Sequence, residues 1–284
     1  MEHITVFENG NKSIRLAANS GFCFGVKSAV DRAVKTAGDP QYADMKKYTW
    51  GPIIHNDDVV SDLSSMGVDV CDGMDDIDKD SVVIIRSHKV EDDIRAAAGA
   101  VIDATCPYVK KIHMLAHDAY VKGKQVVITG DAKHPEVQGI NGWCDDTAVI
   151  IASPEEISDI KEDSELFVVA QTTLNTKMWT ACVDAIRKKF PAAEIKNTIC
   201  QATEKRQEAC RLLASDSDMM VIIGSRSSSN TRKLYEISKE SCESTFFVEN
   251  PEFLPLKEIR KYNRIGVAAG ASAPERIIKE VIAH

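Results

Sequence analysis

Short runs of apolar, often β-branched residues recur along this chain. Between them lie longer stretches in which apolar positions return every three or four residues. The short runs predict strands over 14–18, 82–86, 100–104, 125–129, 148–152, 166–170, 193–196, 219–224, 245–248 and 265–268. The longer stretches predict helices over 25–37, 59–66, 107–121, 177–190, 204–214, 230–239 and 274–282. Strands alternating with helices imply βαβ units with parallel sheets, and ligands of such sheets bind where the strands end.

A weak threefold repeat runs through this alternation. In LAANSGFCFGVKSAV, VIDATCPYVKKIH and IKNTICQATEKRQ a strand runs into a cysteine and a helix follows, at Cys23, Cys106 and Cys200. A polar turn comes 32, 28 and 30 residues later: GPIIHN at His55, GDAKHPE at His134 and GSRSSSN at Asn230. A further strand ends 65, 66 and 72 residues after each cysteine: IIRSH at His88, VVAQTT at Thr172 and VAAGAS at Ser272. Three similar small α/β domains in a pseudo-threefold arrangement fit this pattern. The expected divisions are 14–105, 106–199 and 200–284, the last completed by the strand before Cys23. Regular strand spacing alone gives similar offsets, so the chemistry of the repeated positions has to carry the reading.

The length of 284 residues exceeds a usual single domain of roughly 100–150 residues, which agrees with several small units. With 44% hydrophobic and 27% charged residues the composition is that of an ordinary globular protein. A net charge of −8 argues against a nucleic-acid partner and leaves any phosphate ligand to local groups. The start, MEHITVFENG, lacks the basic and apolar regions of a signal peptide. No apolar run approaches the roughly 20 residues that span a bilayer. A cytoplasmic protein with reduced thiols and no membrane association is expected.

The eight cysteines contain no CxxC pair, so a zinc ribbon or a ferredoxin-type run is absent and shared ligation needs distant segments. Three convergent thiolates at Cys23, Cys106 and Cys200 suit a [4Fe–4S] cluster with one iron open to a substrate oxygen. Cys71, Cys144, Cys182, Cys210 and Cys242 lie outside the repeated position and read as small buried hydrophobes. His113 and His117 lack the Glu of a zincin helix and read as helix surface or core.

His55, His88 and His134 sit at strand-end turns, where an imidazolium would hold phosphate oxygen. The turns at 224–230 and 269–274 precede helices and can cradle an anion, although a serine-rich turn with an N-cap looks the same. GFCFGVKS has the wrong spacing for a P-loop, and no GxGxxG follows a strand. Glu136 is a proton donor if burial raises its pKa, and otherwise a helix N-terminal glutamate. Thr172 and Thr173 either relay that proton or cap the next helix.

Taken in order, GFCFGVKSAV, GPIIHN, DATCPYVKKIH, HPEVQG, AQTTL, the Cys200 segment with TEKRQEA, GSRSSSNTRKL and AGASAPERII resemble the 4-hydroxy-3-methylbut-2-enyl diphosphate reductase family over residues 14–284. That family provides the last enzyme of the methylerythritol phosphate route to isoprenoids. The resemblance implies three α/β domains around a central, oxygen-sensitive cluster. It implies reductive dehydroxylation of a small allylic diphosphate to isopentenyl and dimethylallyl diphosphate. Glu136, helped by Thr172, would deliver protons. His55, His88, His134, Ser228, Ser229, Asn230 and Ser272 match substrate positions, most of them on the diphosphate. A ferredoxin or flavodoxin would supply electrons. Lys89 departs from the glycine usual after the family's histidine, Ser227 stands where asparagine is frequent, and residues 1–13 read as an extension. The rival reading is an iron–sulfur redox sensor or binding protein without turnover, which needs neither a placed acid nor a diphosphate cradle.

Overall fold

The computed structural model describes residues 3–86, 92–161 and 164–284. In chain order the strands are β1 (His3–Asn9), β2 (Lys12–Ala17), β3 (Lys46–Trp50), β4 (Val68–Cys71), β5 (Ser81–Ile85), β6 (Ala100–Asp103), β7 (Gln125–Thr129), β8 (Val149–Ile151), β9 (Leu166–Ala170), β10 (Glu194–Ile195), β11 (Met219–Ile223), β12 (Thr245–Val248) and β13 (Arg264–Ala269). The α-helices are α1 (Phe24–Ala37), α2 (Asp57–Ser65), α3 (Asp92–Ala97), α4 (Pro107–Val121), α5 (Pro135–Gly142), α6 (Thr176–Lys189), α7 (Gln201–Ser215), α8 (Ser229–Ser241), α9 (Leu256–Ile259) and α10 (Glu275–Ala283). The fold is α/β with three sheets, and two compact units hold them.

One unit joins Met1–Lys27, Ile54–Asp62 and Gln201–His284 around a five-stranded sheet of order β1-β2-β13-β11-β12. The strand from the chain's start lies beside one from its end, with Ile14 opposite Ile265 in parallel register. Successive side chains of β11 enter opposite layers, as on any pleated strand covered on both faces. Met219, Val221 and Ile223 pack with Val267, Ile277 and Ile278 on the α10 side. Met220 and Ile222 pack with Leu213, Leu234 and Ala268 on the α7 and α8 side. The expected parallel pairing holds except for β1, which runs antiparallel to β2. Asn9 pairs with Lys12, so only two residues close the turn, and Gly10 takes the positive φ of 59° needed there.

The other unit joins Ser28–Ile53 and Leu63–Cys200 and holds two parallel four-stranded sheets, β4-β3-β5-β6 and β10-β9-β7-β8. β9 is buried on both faces. Phe167 and Val169 meet Ile112, Ala116 and Ile140 of α4 and α5. Leu166, Val168 and Ala170 meet Trp179, Cys182 and Ile186 of α6. Such an all-apolar run is what a parallel strand between two helix layers requires.

Six elements escape the hydrophobic pattern: β1, β3, β4, α3, α5 and α9. β3 opens with Lys46 and Lys47 yet lies between β4 and β5. Lys46 keeps its ammonium at the surface on Asp78, 2.8 Å away, which lets the backbone enter the sheet. β1 is a mostly exposed strand, and β4 is only four residues long, with Val68 and Cys71 buried and Asp69 and Val70 exposed. α5 carries two glycines and begins at Pro135, whose missing N–H costs nothing at a first helical position. No described helix is long and apolar enough to cross a membrane.

Candidate functional site

In the sheet β10-β9-β7-β8 three neighbouring strands end side by side, and each end carries a predicted site residue. Beyond β7, His134 caps α5 by accepting the Glu136 N–H on Nδ1 at 3.2 Å. A ring nitrogen that accepts carries no proton, so in this arrangement the neutral ring bears its hydrogen on Nε2. The cap places Glu136 in the first turn of α5, with only 5% of its surface exposed.

Beyond β9, Thr172 grips that carboxyl. Its N–H donates to Oε1 and its hydroxyl to Oε2, both at 2.6 Å. Beyond β10, Cys200 donates its N–H to the Thr172 carbonyl at 3.1 Å. Thr198 steers the chain there, its hydroxyl donating to the Ala170 carbonyl at 2.6 Å and lying 2.7 Å from the Ala170 N–H. One residue, Thr172, thus touches both the buried acid and the backbone of a predicted cluster ligand.

Burial pushes the Glu136 pKa above the usual carboxyl range, while the two Thr172 bonds and the Arg86 charge pull it down. Arg86 directly follows β5, and its Nε donates to the Pro52 carbonyl at 2.5 Å. Burial pulls its pKa down to about 10, against the opposing pull of Glu136. The acid therefore keeps its proton to higher pH than a solvated glutamate does, within the field of the Arg86 cation.

In the unit that holds the five-stranded sheet, Cys23 follows a loop with positive φ at Asn19 (61°) and Gly21 (88°). Arg206 of α7, 3% exposed, clamps this loop. Its Nε donates to the Asn19 carbonyl at 2.7 Å and its guanidinium to the Gly21 carbonyl at 2.9 Å. The Cys23 Sγ accepts from the Val26 N–H at 3.5 Å.

On the same sheet β11 and β13 end side by side. Ser228 caps α8 by accepting the Thr231 N–H at 3.4 Å. Ser229 and Asn230 begin the helix, and Ser272 lies in the turn beyond β13; all three are buried. Neither side-chain polar atom of Asn230 nor the hydroxyl of Ser272 has a hydrogen-bond partner in the protein. Buried polar groups left without partners are costly, and a helix N-terminus favours an anion. A polar anion would satisfy these groups. His55 is half-buried just before α2. His88 and Lys89 lie outside the described residues.

Of the eight cysteines, Cys23, Cys106 and Cys200 are the half-exposed ones, and the other five are buried. Each of the three precedes a helix, Cys106 as the residue capping α4. Burial raises Cys71, Cys182 and Cys210 to about 11 and Cys242 also upward, which keeps them as inert thiols. Accessible sulfur at strand-to-helix turns fits an iron–sulfur cluster. Among the described residues no three His, Cys, Asp or Glu side chains are close enough to hold a single metal ion. A cubane, with iron and sulfide between its ligands, needs wider-set thiolates.

One sequence expectation changes. Neither Thr172 nor Thr173 caps α6; Asn175 does, accepting the Lys177 N–H at 2.8 Å. Thr173 instead accepts from Gln171 Nε2 at 2.8 Å, while Gln171 Oε1 accepts from the Asp131 N–H at 3.0 Å. Of the two glycines that flank Cys23, Gly25 lies inside α1 and only Gly21 takes a positive φ. The sequence reading missed Arg86, Gln171 and Arg206. Arg206 left a signal: it stands on the stripe of α7 that continues through Ala209, Cys210 and Leu213, where a solvated arginine has no place.

The model of the LytB protein family matches residues 14–284. The 4-hydroxy-3-methylbut-2-enyl diphosphate reductase of Thermoanaerobacter sp. (strain X514) is 44% identical over 276 residues, 95% of each chain. The protein of the same name from Alkaliphilus oremlandii (strain OhILAs) is 44% identical over 273 residues, covering 94% of this chain and 96% of the relative. A solved (E)-4-hydroxy-3-methyl-but-2-enyl diphosphate reductase, described as the terminal enzyme of the non-mevalonate pathway, superposes with a TM-score of 0.69 at 39% identity over 94% of this chain and 96% of that one. The E-1-hydroxy-2-methyl-but-2-enyl-4-diphosphate reductase of Plasmodium falciparum superposes with a TM-score of 0.89 at 26% identity, over 96% and 88% of the two chains. Matched from before Cys23 to its last residue, this chain belongs to the LytB protein family.

Proposed function

We infer that this chain is a 4-hydroxy-3-methylbut-2-enyl diphosphate reductase, an iron–sulfur oxidoreductase of isoprenoid biosynthesis. It takes (E)-4-hydroxy-3-methylbut-2-enyl diphosphate, two electrons and two protons to isopentenyl or dimethylallyl diphosphate and water. The observation that carries this reading is Thr172, which holds the Glu136 carboxyl by both oxygens and takes the N–H of Cys200 on its carbonyl. A redox sensor needs no buried acid fastened to a ligand loop; an enzyme that must protonate a leaving hydroxyl does.

Cys23, Cys106 and Cys200 would hold one [4Fe–4S] cluster and leave one iron without protein sulfur. Such a cluster, when bound, supplies single electrons and a Lewis-acidic site for an alcohol oxygen. Glu136 holds the proton that converts the leaving hydroxyl into water, and Thr172 orients its carboxyl. Asn230, Ser228, Ser229 and Ser272, with His55, His88 and His134, bind the substrate, most of them at its diphosphate. Anchoring this non-reacting end fixes the hydroxyl in place, which is catalysis by positioning.

The division 14–105, 106–199 and 200–284 belongs to the same reading. It is supported by the sheets: β3 to β6 fall in the first span, β7 to β10 in the second, and β11 to β13 in the third, which β2 joins. A ferredoxin or flavodoxin supplies electrons, since the chain carries no nicotinamide or flavin fingerprint. A reducing compartment, the cytoplasm, suits a cluster with an open iron.

The test is anaerobic turnover, followed as oxidation of reduced methyl viologen on addition of the substrate. The unaltered protein turns over. Glu136→Gln keeps the cluster absorption and loses about 100-fold or more in rate. Full activity in that variant ends the acid's role, and a complete cluster without turnover in the unaltered protein favours the sensor.

A further inference from the structure

Thr231, the third residue of α8, has no exposed surface, and its hydroxyl finds no partner in the protein. An unpaired hydroxyl at a fully buried place is retained at a cost, so another property of the side chain must justify it. Its neighbours give that property. A Cβ on Gly270 would come within 2.0 Å of the Thr231 Oγ1 and 3.0 Å of its Cβ. A Cβ on Gly224 would come within 2.8 Å of the same Oγ1 and 3.1 Å of the Thr231 methyl.

These glycines directly follow β11 and β13, which are neighbours in the sheet. The Thr231 side chain therefore sits on the bare backbone of two adjacent strand ends. Gly224 has a second reason to be glycine, its φ of 138°, whereas Gly270 has only the contact with Thr231. Threonine suits the slot because branching at Cβ fills it with a stiff side chain.

Immediately to one side of this wedge lies Asn230, and two residues beyond Gly270 lies Ser272. Both carry unpartnered buried polar atoms. We propose that Thr231 is a positioning residue for the anion cradle, a wedge whose bulk on Gly224 and Gly270 sets the spacing between the Ser228–Asn230 turn and the Gly270–Ser272 turn. It touches no ligand; its hydroxyl serves as volume. The proposal rests on reading these turns as the diphosphate site.

The probe is inorganic pyrophosphate, titrated calorimetrically into anaerobic, cluster-loaded protein, with melting temperature and cluster absorption recorded for every variant. Gly270→Ala forces the turns apart and weakens binding about tenfold. Thr231→Ala removes the wedge and weakens it about fivefold. The double variant Gly270→Ala with Thr231→Ala restores volume to the slot and binds more tightly than either single variant. Thr231→Val, of the same shape without the hydroxyl, binds within about twofold of the unaltered protein.

Additive losses in the double variant, or no loss in either single one, overturn the proposal. If Gly270→Ala does not fold, Thr231→Val and Thr231→Ala decide. Equal losses in both assign the hydroxyl to the ligand and overturn the wedge, as does unchanged binding in both. Failure of the unaltered protein to bind pyrophosphate overturns the cradle and the wedge together. Binding there with no response at residue 231 overturns the wedge alone.

Discussion

Thr172 secures both oxygens of the Glu136 carboxyl, one with its backbone N–H and one with its hydroxyl, each at 2.6 Å. Both bonds favour the ionised carboxyl, while burial favours the protonated one more strongly. Thr172→Val removes the hydroxyl bond and so raises the pKa further. An acid must hold its proton to work, so turnover falls as pH rises through that pKa. The alkaline limb of kcat/KM therefore moves to higher pH in Thr172→Val, with a rate loss of about tenfold from the looser carboxyl. Thr172→Ser returns the limb to its place. An unmoved limb would remove Thr172 from control of the acid.

The same group shapes stability. A carboxyl whose pKa is raised on folding contributes stability below its ordinary value near 4.5, and that contribution is lost as pH rises through the raised value. Glutamine is neutral throughout and can keep both contacts with Thr172. Glu136→Gln therefore gains in melting temperature over the unaltered protein between pH 5 and pH 8, and the gain grows with pH. Circular-dichroism melts at several pH values measure it; a constant difference contradicts the assignment.

Arg206 bears on the Cys23 loop in a comparable way. Its two hydrogen bonds hold carbonyls of Asn19 and Gly21, both at positive φ. Arg206→Met leaves those acceptors without the guanidinium, at a cost of about 2–3 kcal/mol in a denaturant titration. The loosened loop also speeds iron loss to a chelator under anaerobic conditions. Lysine offers one ammonium where the guanidinium offers a fork, so Arg206→Lys recovers only part of both effects. A chelation rate equal to that of the unaltered protein would make the clamp irrelevant to the ligand loop.

The cysteines divide into two experimental classes. Serine at residue 23, 106 or 200 abolishes retention of iron while the fold persists, because each side chain is half-exposed at a turn. Cys182→Ala behaves oppositely. That side chain is fully buried against α6 and β9 neighbours, so trimming it costs about 1 kcal/mol and leaves iron content unchanged. Iron analysis and thermal melts on the same preparations separate the classes.

What the sequence disclosed follows from where information is local. Residues 125–129, 166–170 and 245–248 were legible as strands, and 107–121 as a helix, because burial writes unbroken apolar runs or a regular stripe. β3 was not legible, since Lys46 and Lys47 hide a strand whose place in the sheet is fixed by β4 and β5. The thiols and Glu136 could be found because cysteines recur at one kind of turn and HPE follows a strand. Arg206 acts on residues 185 and 187 positions away, and Arg86 on a carbonyl 34 away. No spacing rule reaches that far. The unpartnered atoms of Asn230 and Ser272 exist only once packing has excluded water from them.

The central claim, that three thiolates from separate segments hold one cluster with an open iron, is tested most directly by iron and acid-labile sulfide analysis of protein prepared without oxygen. The account predicts about four iron and four sulfide per chain. Protein that is folded, pure and free of iron after anaerobic preparation would contradict it.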